Sequence, residues 1–88
     1  MQINNRTIIF LGGYYKLVDS IMFDNCSVQF NGASIEKSHN KTIFFEGNNV
    51  LDLSTSNGQI IDNNENDESG VFTCETGTLN VLLGRREI

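Results

Sequence analysis

Apolar residues along this chain come in short runs broken by glycine, asparagine and charged residues, without the recurring three- and four-residue spacing of an amphipathic helix. The runs Thr7–Leu11, Tyr14–Val18, Ile21–Phe23, Ser27–Phe30, Thr42–Phe45, Asn49–Leu53, Val71–Thr73 and Thr78–Leu83 each read as a strand, with shorter runs around Ile35 and at Ile60-Ile61. Gly12-Gly13 joins two of them. Two glycines that accept positive φ between apolar runs predict a tight β-hairpin at that point. Asn31-Gly32 closes another run. Residues 36–41 and 62–70 are polar links, and the second, which holds no apolar residue, is expected to be a mobile acidic loop.

The runs repeat. Ile21-Met22-Phe23 and Ile43-Phe44-Phe45 open similar units, each followed seven residues later by a valine, Val28 or Val50. Phe30 or Leu53 comes next, then a glycine and an isolated isoleucine: Gly32 with Ile35, Gly58 with Ile60. The period is 22 residues, or 25 between Ile35 and Ile60. Val71 opens a looser third copy, and the N-terminal copy is short, with Ile8 only 13 residues before Ile21. Three short strands per repeat with polar corners describe one coil of a β-solenoid.

Over Ile21–Ile35 and Ile43–Ile61, with the Phe-x-x-Asn corner Phe45-Glu46-Gly47-Asn48, the chain resembles the right-handed parallel β-helix of pectate-lyase-like and phage tailspike proteins. The equivalent stretch Phe23-Asp24-Asn25-Cys26 lacks the final asparagine. The resemblance implies a small all-β parallel solenoid of three to four short coils, with the Gly12-Gly13 hairpin as an N-terminal cap. The alternative is an antiparallel β-sandwich or barrel of hairpins.

Composition agrees with both. Ile, Val and Thr number 20 and Phe 6, whereas alanine occurs once; 12 Asn and 8 Gly supply corners. Eighty-eight residues suffice for one small domain, residues 1–88, and leave no room for a nucleotide-binding domain beside a substrate domain. The net charge is −5, from 6 basic and 11 acidic residues, which argues against direct nucleic-acid binding. No apolar run reaches the roughly 20 residues of a membrane span, and the polar start has no secretory pattern, so the expectation is a cytoplasmic protein that does not engage membranes. Cys26 and Cys74 are expected as two buried thiols.

Candidate chemistry is sparse. His39 is the single histidine, with no Gly-x-Ser-x-Gly elbow to accompany it, and reads as an exposed loop residue. Asp62-x-Asn64-x-Asn66 begins like a calcium-binding loop, but the sixth position is Asp67 instead of glycine and the twelfth Thr73 instead of glutamate. In a solenoid Asp24 and Glu46 would stack on adjacent coils, about 4.8 Å apart. The related β-helix enzymes act on acidic polysaccharides through carboxylates and basic residues on one face. The short N-terminal copy, however, puts Leu11 in that row and the third copy puts Cys74 there, so the row is expected to stop. Lys37, His39 and Lys41 alternate and on a strand would form a small basic face, but one too small for sequence-independent nucleic-acid affinity, so they are read as a solvated loop. Of Tyr14 and Tyr15, alternation sends one ring inward and one outward.

No catalytic set or cofactor motif emerges, so the expectation is a non-enzyme without a cofactor, a carbohydrate-active enzyme using Asp24 and Glu46 being the minor alternative. The leading expectation is an acidic protein-interaction module that covers a basic, nucleic-acid-binding surface of a host protein, in the manner of a phage or mobile-element inhibitor of the anti-defence type. Its candidate contacts are Asp62, Glu65, Asp67, Glu68, Tyr14 and Tyr15. The alternative is a structural or glycan-binding β-solenoid piece of a larger assembly, which predicts self-association into a homo-oligomer through open sheet edges.

Overall fold

The computed structural model describes residues 1–55, 58–64 and 69–83. Within them the chain winds as a solenoid. Coil 1 holds β1 (Gln2–Asn4), β2 (Thr7–Phe10) and β3 (Gly13–Leu17); coil 2 holds β4 (Ile21–Asp24), β5 (Ser27–Phe30) and β6 (Ala33–Lys37). Coil 3 holds β7 (Ile43–Glu46), β8 (Asn48–Asp52) and β9 (Ile60–Ile61), and coil 4 contributes β10 (Phe72–Thr73) and β11 (Thr78–Leu82). Strands stack into three sheets, ordered β1-β4-β7-β10, β2-β5-β8-β11 and β3-β6-β9, and every pairing is parallel. The all-β solenoid is therefore the architecture, and the antiparallel sandwich or barrel is not.

The expected N-terminal hairpin is corrected. β2 pairs with β5 and β3 with β6, so the strands flanking Gly12-Gly13 lie in different sheets. The glycines turn a corner between faces instead of reversing the chain, because each run finds a complete ladder on the coil above. The first copy is also not short. Gln2–Asn4, too polar to read as a strand, forms β1 beneath β4, with Ile3 under Phe23 at an offset of 20. Offsets then lengthen: 22 for Phe23 to Phe45, 25 for Ile35 to Ile60, 29 for Ile43 to Phe72. Insertions are confined to corners, where the backbone can bulge into solvent without breaking a rung.

One corner is marked in every coil. Asn5 (φ 55°), Asn25 (54°), Gly47 (78°) and Gly77 (88°) occupy the left-handed region that asparagine and glycine tolerate. They are column-mates at the turn from the first sheet to the second. A Cβ on Gly77 would run into the Gly47 carbonyl oxygen.

Alternation fills the interior. Phe23, Val28, Phe30, Ile43, Phe45 and Leu51 are each at most 2% exposed. Equal positions on adjacent coils bring like rings together: Phe10 stacks on Phe30 at 4.7 Å and 8°, and Phe23 on Phe45 at 5.7 Å. Such pairs add about 0.5–1.5 kcal/mol beyond the area they bury. The buried Asn49 spans the corner column: its Oδ1 accepts the Cys26 amide at 2.8 Å and its Nδ2 donates to the Glu46 carbonyl at 2.8 Å. Cys26 is buried as expected, but Cys74 is exposed, and the two are not joined.

Candidate interaction face

The outer positions of the first sheet are set by the same alternation that buries Phe23, Ile43 and Phe45. Gln2, Met22, Phe44 and Thr73 form one outward column, and Asn4, Asp24 and Glu46 the next. Asp24 and Glu46 are thus rung neighbours, as their spacing implies. The row does not run through Leu11, however, because the true offset of the first coil puts Asn4 below Asp24. At the other end Glu75 joins it from the corner of coil 4. Glu46 and Glu75 border a shallow depression of about 220 Å³ floored by Met22, Phe44 and Phe45. A second, of about 320 Å³, lies between Phe44, Thr42, Asn40, Thr73, Ser69, Gly70 and Glu75. Phe44 and Glu75 belong to both.

This face is a half-buried thioether and aromatic shelf with a carboxylate margin, and among the described residues no lysine or arginine lines either depression. Among the described residues no three His, Cys, Asp or Glu side chains come together to hold a metal ion. The carboxylates are spread along the shelf instead of converging. Such an arrangement suits extended basic side chains, whose aliphatic stems lie on apolar surface while their charged heads reach carboxylates, with an aromatic face available to a guanidinium.

The sequence-derived candidates fall elsewhere. Asp62 is exposed just past β9, where its carboxylate accepts the Asn64 backbone amide at 3.2 Å and the Asn64 side-chain amide at 3.0 Å. Asn64 also donates to the Lys37 carbonyl at 2.9 Å, which ties the start of this loop to coil 2. Glu65, Asp67 and Glu68 lie outside the described residues. Tyr14 is exposed on the outer face of the third sheet, one rung from Ser34. Tyr15 points inward, edge-on to Phe10 at 5.5 Å, with its hydroxyl donating to the Leu11 carbonyl at 2.9 Å. Tyr15 is half-buried, its ring at the open end of coil 1. The solvated-loop reading of Lys37, His39 and Lys41 is corrected at Lys37, which ends β6. Lys37 is 1% exposed, with its ammonium donating to the Ser38 carbonyl, while Lys41 faces Asp19 at 3.9 Å and His39 is exposed at the corner.

Met22, Phe44 and Glu75 were not singled out from the sequence. Apolar residues at outward positions inside apolar runs were the available signal, since Met22 and Phe44 stand where the alternation of their strands would place polar residues. No protein family, curated protein or solved structure matches the chain.

Proposed function

We propose that this protein is a non-enzymatic interaction module that presents the outer face of its first sheet to a basic segment of a partner protein. The observation carrying this reading is the Met22–Phe44 shelf bordered by Asp24, Glu46 and Glu75, with no basic residue lining its depressions among the described residues. An overall charge of −5 adds long-range attraction, which speeds and selects encounter with a positive surface. A basic, nucleic-acid-binding surface is the partner class such a charge selects. Covering it would inhibit the partner, the role of an anti-defence protein of a phage or mobile element acting in the host cytoplasm.

The test is capture from a host lysate on immobilised protein, with a salt gradient and mass spectrometry. Wild type should retain basic proteins that salt releases. The variant Asp24→Asn/Glu46→Gln/Glu75→Gln should lose them while keeping its far-ultraviolet circular dichroism. An identical captured set on both would overturn this assignment of the face.

A further inference from the structure

The first sheet carries an aromatic ring that the fold leaves without a ring partner. Among the described residues, Phe10, Phe23, Phe30, Phe45 and Phe72 each pack against another ring, and Phe44 does not. It stands half-buried on the outer face, between Met22 and Thr73 in its column. Tyr14, the outward aromatic of the third sheet, differs: Lys16 follows it two residues along the same outer face. Among the described residues no basic side chain lines either depression beside Phe44.

The carboxylates there are unengaged as well. Glu46 and Glu75 border the depression floored by Met22, Phe44 and Phe45, and among the described residues no hydrogen bond or ion pair reaches either carboxylate. Asp52, by contrast, accepts two hydrogen bonds from Ser54. A ring without a ring partner, sharing a depression with two carboxylates that have no donor, is the complement of a planar cation.

We infer that this face reads arginine in particular: an arginine of the partner segment seats its guanidinium on Phe44 and donates to Glu46 and Glu75. This rests on the basic-partner reading of the same face and narrows it. Lysine is not equivalent. A guanidinium is planar and weakly hydrated, and its fork of donors reaches acids on two sides while its plane lies on a ring. An ammonium is a compact, strongly hydrated point charge. Spacing sets the shape of the segment. Along β7 one depression spans Thr42 to Phe44 and the other Phe44 to Glu46, so their centres lie two residues, about 7 Å, apart. On an extended chain that is the separation of side chains i and i+2. Glu75 lines both depressions, so a second basic residue two positions along also meets an acid. A docked helix would need a continuous apolar groove, whereas the second depression is lined mainly by Asn40, Thr42, Thr73, Ser69 and Gly70.

Fluorescence anisotropy at low salt tests this with three dye-labelled octapeptides, in which serine alternates with arginine, lysine or citrulline. The arginine peptide should bind about tenfold more tightly than the lysine peptide. The citrulline peptide, which keeps the shape and loses the charge, should show no binding. Phe44→Leu keeps the apolar bulk and removes the aromatic face. It should bring the arginine and lysine affinities within about twofold of each other, with an unchanged circular dichroism spectrum. Glu75→Gln should weaken both peptides. Lysine binding as tight as arginine, an arginine preference that survives Phe44→Leu, or an arginine peptide that does not bind would overturn the inference. Equal binding of the two basic peptides, lost together in Asp24→Asn/Glu46→Gln/Glu75→Gln, would remove the arginine specificity and leave the basic-partner reading standing.

Discussion

Asn49 tests how much of the solenoid depends on one polar side chain in its wall. Replacing it with alanine removes an acceptor from the Cys26 amide and a donor from the Glu46 carbonyl, each at 2.8 Å, at a residue 2% exposed. Each backbone group left buried without a partner costs about 1–3 kcal/mol, and water entering the vacated space recovers part of that. The expected loss is about 2–4 kcal/mol, a large share of the roughly 4–13 kcal/mol that a chain of this length commands. In a domain this size it corresponds to a fall in melting temperature of about 10–25 °C. Urea unfolding followed by circular dichroism should show a lower midpoint at unchanged slope. Amide exchange at Cys26 should accelerate more than exchange at Val28. Asn49→Asp supplies the control. The carboxylate still accepts from Cys26 but cannot donate to Glu46, and burial raises its pKa. Stability should therefore rise as pH falls through that pKa, because the protonated acid restores a donor. A loss below about 0.5 kcal/mol for Asn49→Ala, with Cys26 exchange unchanged, would refute the reasoning.

Two further outcomes are expected. Gly77→Ala should destabilise by more than about 1 kcal/mol, since φ is 88° and the new Cβ would meet the Gly47 carbonyl, whereas Asn25→Gly should cost less; paired urea midpoints check this. Asp52 accepts hydrogen bonds from the Ser54 hydroxyl and the Ser54 amide, which hold its pKa below the ordinary value of 3.8. Its contribution is thus present above pH 3.8 and lost as pH falls below it, so the stability gap between wild type and Asp52→Asn should narrow on going from pH 6 to pH 3. A gap that widened in acid would contradict the assignment.

The candidate face shows where sequence reading falls short. Asp24 and Glu46 were recognisable as rung neighbours, because both follow the third residue of a repeat opening. Glu75 was not, since the offset from coil 3 to coil 4 is 29–30 rather than 22. Met22 and Phe44 do not stand out in the sequence because they sit within apolar runs. The corner asparagine was likewise sought at Asn48, whereas the buried, bridging one is Asn49. An extra residue in that corner moves the side chain by one position, which in a strand exchanges inside for outside.

By itself the sequence determined that the chain would be strands and corners. Alternating Ile, Val and Phe build walls with one apolar face, and asparagine and glycine supply the left-handed φ at Asn5, Asn25, Gly47 and Gly77. These are local preferences, expressed by each residue within a few neighbours. Which strand lies beside which was legible where the 22-residue repeat holds, as for β4 and β7, and was decided by the tertiary structure in the first and last coils. Gly12-Gly13 is as compatible with a hairpin as with a corner, and the choice depends on whether a strand some 20 residues away offers a better-packed edge. Stacking Phe10 on Phe30 and Phe23 on Phe45 settles it for the solenoid, since burial of large side chains outweighs the preference of a two-residue turn.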